Sequence, residues 1–181
     1  IPAYNAEKFI HLAVESVQNQ SIDDWELIIV ENSSEDNTTA VCEKFLNDGR
    51  VSLLHSKKGV SAARNTGIEA ARGTWLVFLD ADDQLLENAL EKFGEIDHEY
   101  SPDLIIGEYE NKGIRYNSER KLYQDDTLKN FLCTSLENPT QKCNTTAVAF
   151  RNSIVQHYAV TFDEQIRYAE DSVFFIEVLR Y

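Results

Sequence analysis

Two hydrophobic periods alternate along this chain, and that alternation is what most limits how it can fold. Apolar runs of strand length stand at Trp25 to Val30, Val51 to His55, Trp75 to Leu79 and Leu104 to Tyr109. Between them lie stretches whose apolar residues recur at three and four positions. The helical stretches run from about Ala6 to Gln20, Thr39 to Asn47, Val60 to Arg72 and Glu87 to Glu99. In the first of these, Phe9, Ile10, Ala13, Val14 and Val17 form one face. Strand and helix exchanging at this pitch predict a doubly wound α/β fold. Its sheet is mostly parallel, and its site lies in the loops at one sheet edge.

Local signals set the expected element ends. Asn5 is a helix-cap residue, Ser61 can cap the third helix, and Gly73 follows that helix as a stop. The third helix carries a face of Ala62, Ala63, Gly67, Ala70 and Ala71, small enough for close approach to a sheet or a ligand. Regularity fades after residue 110. A basic cluster of Lys112, Arg115, Arg120 and Lys121 is followed by a helix expected over Asp126 to Leu136 and a strand over Thr145 to Arg151. Asn152 then caps a short helical turn, and the pair Glu170-Asp171 stands just before the apolar stretch Val173 to Leu179. The chain opens at Ile1-Pro2 without an initiator Met and stops at Tyr181 inside an apolar run, so it reads as a fragment.

Charge and composition exclude several function classes. With 31 acidic and 17 basic residues the net charge is -14, which argues against a nucleic-acid partner. A phosphorylated ligand would have to arrive with a cation or find a local basic patch. Cys42, Cys133 and Cys143 have no metal-ligand spacing and read as buried or free thiols of a reducing compartment. His11, His55, His98 and His157 likewise have no ligand spacing, and no apolar run approaches the roughly 18 residues of a membrane span. Neither a glycine-rich phosphate loop nor a nucleophile elbow is found.

The stretch that carries chemistry is Trp75 to Asp83, an apolar strand ending in Asp80, Asp82 and Asp83. Carboxylates this close repel one another and are tolerable where they stay solvated, cap a helix or share a cation. An acidic chain contains some Asp-x-Asp by chance, so a capping loop accounts for the same residues. A carboxylate cluster at a strand end and a distant carboxylate at a helix start would together suit transfer from a nucleotide-activated donor.

Five ordered motifs carry a resemblance. Ile-Pro-Ala-Tyr-Asn-Ala-Glu at 1–7, Trp-Glu-Leu-Ile-Ile-Val-Glu-Asn-Ser-Ser-Glu-Asp-Asn-Thr at 25–38, Gly-Val-Ser-Ala-Ala-Arg-Asn-Thr-Gly-Ile at 59–68, Phe-Leu-Asp-Ala-Asp-Asp at 78–83 and Glu-Asp at 170–171 resemble the family 2 glycosyltransferases of the GT-A fold. The resemblance implies a Rossmann-like, doubly wound mixed sheet with helices on both faces and a smaller C-terminal acceptor region. Residues 1–110 would form the nucleotide-sugar-binding half and 111–181 the acceptor part. It also implies an inverting transferase that moves a sugar from a nucleotide-diphosphate donor, usually a uridine or guanosine diphosphate sugar, to a hydroxyl acceptor with Mg or Mn.

Carried over by position, Pro2, Ala3 and Tyr4 go to the base pocket, where Tyr4 would stack on the base. Glu31 and Asn32 stand where the family commonly has two aspartates. Asn32 keeps an oxygen that can accept from a uracil imide but adds donors. Arg64 lies on the helix facing the diphosphate, with an exposed ion pair to Glu69 or Asp36 as its plain alternative. Asp82 is the first choice as metal ligand, with Asp80, Ala81 and Asp83 beside it on donor and metal. Asp171 matches the catalytic base, and Glu170 supports the acceptor side.

The acceptor would be a glycan or lipid-linked glycan of bacterial cell-surface polysaccharide assembly, such as cell wall or capsule. The protein would be cytoplasmic or at the inner face of the cytoplasmic membrane; the basic cluster could meet a lipid-linked phosphate or an anionic membrane surface, with a solvated hairpin as its plainer and favoured reading. No Gln-x-x-Arg-Trp motif of the processive polymerases occurs, which points to single addition. The competing readings are a nucleotide-sugar-binding module without transferase activity, and a nucleotidyltransferase that would release pyrophosphate.

Overall fold

A computed structural model of the chain describes residues 1–111, 114–116 and 145–181. Three parallel strands open it: β1 (Pro2–Ala3), β2 (Leu27–Glu31) and β3 (Val51–His55). They lie in the order β1-β2-β3, with Pro2 opposite Val30 and Leu27 opposite Val51. The helices between and after them are α1 (Ile10–Gln18), α2 (Thr38–Glu43) and α3 (Val60–Ala70). There follow β4 (Trp75–Val77), α4 (Ala89–Tyr100), β5 (Leu104–Ile106), β6 (Tyr109–Asn111), β7 (Ile114–Tyr116), a 3-10 turn at Thr145–Ala147, β8 (Val148–Arg151), α5 (Asn152–His157) and α6 (Glu170–Val178). β8 lies between β4 and β5 and runs antiparallel to both, while β6 and β7 form a hairpin.

Alternation along the strands explains why helices cover both faces. Leu27 and Ile29 of β2 pack with Ile10, Ala13, Val14 and Val17 of α1. Val30 turns the other way, and a Cβ added at Gly67 of α3 would lie 3.8 Å from its Cγ2. The same alternation continues past β4. Leu79 joins the first core, whereas Phe78 joins a second with Ile68, Phe150, Phe162 and Phe174. In that second core the rings of Phe162 and Phe174 stack at 4.1 Å and 2°, and Phe78 meets both edge-on at 5.3 and 5.7 Å. Such aromatic pairs add about 0.5–1.5 kcal/mol each beyond the area they bury. Between the two three-stranded groups runs a cleft of about 670 Å³, lined by Ile28 and Val30 on one side and Leu76 and Phe78 on the other.

Several expected boundaries move, each for a local reason. The ladder of β4 ends at Val77, opposite Ala149, and β8 itself begins at Val148, out of the 3-10 turn that replaces the start of the expected Thr145 strand. The run Leu104 to Tyr109 breaks at Gly107, whose amide donates to Ala147 O at 2.7 Å. A Cβ there would stand 3.1 Å from that same oxygen, so glycine permits the close approach. Asn5 has a φ of 48° and accepts a hydrogen bond from the Glu35 amide instead of capping α1, and Phe9 is 50% exposed. Gly59, at φ 137°, holds the cap position of α3, and Ser61 is buried within the first turn. α3 stops at Ala70 with Ala71 extended, and the Gly73 amide donates to Glu26. Glu170 and Asp171 lie inside the first turn of α6.

Cys42 is a free, buried thiol whose pKa burial pushes up to about 11. Cys133, Cys143, Lys112, Arg120, Lys121 and the helix expected over 126–136 lie outside the described residues; Arg115 belongs to β7.

Gly67 gives a direct test of how α3 packs. Since an added methyl meets Val30 only at ordinary contact distance, Gly67→Ala should gain helix propensity without a clash. The expected result is a stabilisation of about 0.5–1 kcal/mol in urea unfolding. A loss of stability would mean that α3 sits closer to the sheet than described.

Candidate active site

Arg64 brings together two acidic segments far apart in sequence. It occupies the sheet side of α3 among Ser61, Ala63 and Ile68, and its side chain is only 6% exposed. Nη2 donates to Asp80 Oδ1 at 3.0 Å and Nη1 to Glu170 Oε1 at 3.1 Å. Beneath the guanidinium lies the Phe162 ring, its centroid 5.2 Å away. The exposed pair expected with Glu69 or Asp36 is not formed. Glu69 points to solvent, and the Asp36 carboxylate is taken up by the Thr38 and Glu7 amides.

At the strand end, Asp80 is partly exposed, Asp82 exposed and Asp83 half-buried, and the Asp83 amide closes a turn onto Asp80 O at 3.1 Å. Burial raises the Asp83 carboxyl above its ordinary range, and the neighbouring charges of Asp80 and Asp82 raise it further. Arg64 offers one positive charge to this cluster. Among the described residues no three His, Cys, Asp or Glu side chains converge into a closed metal cage. The donor set is still of the kind that suits Mg or Mn, which are often held by one or two carboxylates with the remaining positions left to water and substrate phosphate.

On the other side of Arg64, Ala169 turns the chain at φ 61° into α6. Glu170 is mostly buried at the guanidinium, whereas Asp171 is partly exposed and accepts from the Ser172 amide at 2.7 Å. Tyr168 stands beside them, 88% exposed.

The segments expected to form a base pocket are tied by side-chain bonds to the backbone. Asn32 is 3% exposed, and its Nδ2 donates to Ser56 Oγ, Lys57 O and Gly59 O at 2.7, 2.7 and 3.0 Å. Its Oδ1 accepts from the Gly59 amide at 2.8 Å, so the residue knots the β3–α3 loop. Three acceptors around the nitrogen explain why an amide, not a carboxylate, fits here. Glu31 Oε1 accepts from the Ser34 amide at 2.5 Å, and Oε2 lies 3.2 Å from the Ser33 amide and 3.3 Å from His55 Nδ1. Burial by itself would raise the Glu31 carboxyl; the Ser34 amide, the Ser34 hydroxyl, His55 and the Ser33 amide outweigh it, and the net shift is downward. Tyr4, 42% exposed, follows Pro2 and buried Ala3, and Lys58 Nζ stands 4.6 Å from the centroid of its ring.

Other ties were not anticipated from sequence. Asp36 holds the Glu7 amide as well as Thr38, and Thr38 Oγ1 accepts from the Ala6 amide at 2.7 Å. Lys57 pairs with Glu164 at 2.5 Å. The Asp-x-Thr spacing at 36–38 is the available signal, since Asp commonly bonds the backbone two residues on.

Comparison with known proteins gives a consistent picture. The sequence model described as Glycosyl transferase family 2 matches residues 1–160. The chain is 31% identical to the uncharacterized glycosyltransferase EpsJ of Bacillus subtilis (strain 168), over 99% of this chain and 55% of that protein. It is 30% identical to the poly(ribitol-phosphate) beta-N-acetylglucosaminyltransferase TarP of Staphylococcus aureus (strain N315), over 99% of this chain and 56% of that protein. Among solved structures, residues 1–349 of S. aureus TarS superpose with a TM-score of 0.79 at 21% identity, over 98% of this chain and 53% of that one. The shared architecture is the GT-A-like α/β fold. The chain spans about half the length of the curated relatives it matches.

Two substitutions test the loop ties. Asn32→Asp would set a carboxylate against two carbonyl oxygens and leave them without a donor. It should cost about 2–4 kcal/mol in urea unfolding, and a neutral result would refute the knot. Folding lowers the Glu31 pKa, so its contribution is complete above the ordinary value of 4.5 and is lost as pH falls through the lower native one. Glu31→Gln should therefore be less stable than wild type by about 1–2 kcal/mol at neutral pH, with the gap closing as pH falls below the ordinary value and through the lower native one.

Proposed function

The chain belongs to glycosyl transferase family 2, and from that premise we propose that the protein is an inverting glycosyltransferase. It moves a sugar from a nucleotide-diphosphate donor to a hydroxyl of a glycan or lipid-linked glycan in cell-surface polysaccharide assembly. The observation that carries this reading is the single guanidinium of Arg64, with Asp80 on one side and the start of α6 on the other. A donor-side carboxylate cluster and a candidate proton acceptor thus share one anchor.

In this reading Pro2, Ala3, Tyr4 and the Glu31-Asn32 strand end border the nucleotide base. Asn32 works there through the loop it holds, because its oxygen is already used by Gly59. Asp82, with Asp80 and Asp83, would hold Mg or Mn, and a cation there would neutralise charge on the departing diphosphate. Asp171 takes the proton of the acceptor hydroxyl as that oxygen attacks the anomeric carbon from the face opposite the diphosphate, which inverts configuration. Asp171 is partly exposed at the first turn of α6, which leaves it within reach of an acceptor.

A uridine diphosphate sugar is the favoured donor. TarS, of the same fold, has been solved with UDP and with UDP-GlcNAc, and the relative WfgD is named as a UDP-Glc-using glucosyltransferase acting on a diphosphoundecaprenol-linked sugar. The names of TarP and of the minor teichoic acid protein GgaA support a cell-wall polymer as acceptor class. Among the described residues no helix is long and apolar enough to cross a membrane.

The test uses the full-length protein with a panel of nucleotide sugars and Mn. We expect turnover of a UDP-sugar, and we expect Asp171→Asn to lower kcat by about 10²–10⁴ while donor binding stays intact. Binding without turnover, unchanged by Asp171→Asn, would make the protein a nucleotide-sugar-binding module.

A further inference from the structure

We propose that Arg64 is a positioning residue that sets α6, and with it Asp171, against the strand end carrying Asp80, instead of binding the donor's diphosphate. This rests on the transferase reading above. Both terminal nitrogens of Arg64 are committed to carboxylates, at 3.0 and 3.1 Å, on a side chain that is 6% exposed. The remaining N–H groups are enclosed with it, Nε being buried without a hydrogen-bond partner, so the guanidinium faces protein and not an open diphosphate site. The planar fork suits the task, because it can face two carboxylates at once where an ammonium is a single point of charge.

A second grip, one residue along, reaches the same place. Asn65 Nδ2 donates to Phe162 O at 2.9 Å, and Asn65 Oδ1 accepts from the Phe162 amide at 2.8 Å. Phe162 in turn stacks on Phe174 of α6 at 4.1 Å and lies under the Arg64 guanidinium. α3 therefore holds the polar start of α6 through Arg64, and its aromatic flank through Asn65 and Phe162. In this arrangement Glu170 is the point of attachment, and Asp171, the next residue, is left free of the guanidinium. The small residues of α3 acquire a purpose as well. Buried Ala62 and Ala63, with Gly67 facing Val30, let the helix lie near the sheet, so that one arginine spans from the segment after β4 to α6.

Arg64→Lys and Glu170→Gln, singly and together in the full-length protein, test this. Each single change should lower kcat by roughly 10–100-fold with donor KM within about twofold, as expected for displaced rather than missing chemistry. Because both break one tie, the double variant should be no worse than the worse single. Without any substrate, Arg64→Lys should also speed hydrogen exchange at the Val173 amide, which bonds Ala169 O. If Arg64→Lys does not accumulate as folded protein, Asp80→Asn replaces it in the exchange experiment. A change at the strand end that loosens α6 is expected only if the guanidinium connects them.

The inference fails if Arg64→Lys raises donor KM about tenfold while Glu170→Gln is silent, since Arg64 would then be a donor ligand. It fails equally if exchange at α6 is unchanged. A wild-type protein that turns over no nucleotide sugar removes the transferase reading and the catalytic half of the inference. The exchange result then decides separately whether the tie exists.

Discussion

A buried cation must be paired, and here the pairing fixes the geometry of everything around it. Arg64 sits in a setting where an unpartnered guanidinium would be costly, and it is balanced by Asp80 and Glu170. Without it, those two carboxylates, one partly exposed and one mostly buried, would be left unpaired near one another and repel. Buried pairs of this kind return little net stability once desolvation is counted, and their value lies in specifying one arrangement over its competitors. The Phe78, Phe150, Phe162 and Phe174 cluster supplies the stability instead. Apolar packing and charge pairing thus divide the work, one holding α6 down and the other setting its first turn.

A similar division appears at the parallel edge. Backbone amides that would be unsatisfied in the tight turns after β2 and β3 are met by Glu31 and Asn32, and those after β1 by Ser34, Thr38 and Asp36, while Glu7 in return accepts from the Asn37 amide. Ser33 is held at φ 61°, a conformation that a free serine would mostly leave. The loops bordering the candidate base pocket are therefore shaped before a ligand arrives. Ordering costs that would otherwise weaken binding are met during folding.

Much of this was legible in the residue pattern, and what was not has a physical cause. The hydrophobic period located the strands and helices of the first half, because each element there is covered on a defined face. It is silent on strand direction, so the antiparallel insertion of β8 between β4 and β5 left no trace in the sequence. The motifs at 78–83 and 170–171 were visible, but their link was not. Nothing at Arg64 says that its partners lie 16 and 106 residues on. Asn32 looked like a departure in a binding residue; its four bonds to the next loop arise from tertiary contacts that no local pattern encodes. Conversely, the signals of Asn5 and Gly73 were sound locally and were overridden by bonds to Glu35 and Glu26, and that of Ser61 by Gly59, which takes the cap position instead.

The contact between Gly107 and Ala147 ties together two points 40 residues apart in the chain. The Gly107 amide is pinned to the Ala147 carbonyl by a 2.7 Å hydrogen bond. Whatever is inserted, deleted or exchanged between those two points starts and ends at the same place. Lengthening a closed loop costs only about 0.6 kcal/mol per doubling, so the carboxylates on α6 and at the end of β4 are insulated from such changes. A change of length between Gly107 and Ala147 would therefore leave Arg64 holding the same two acidic segments in register.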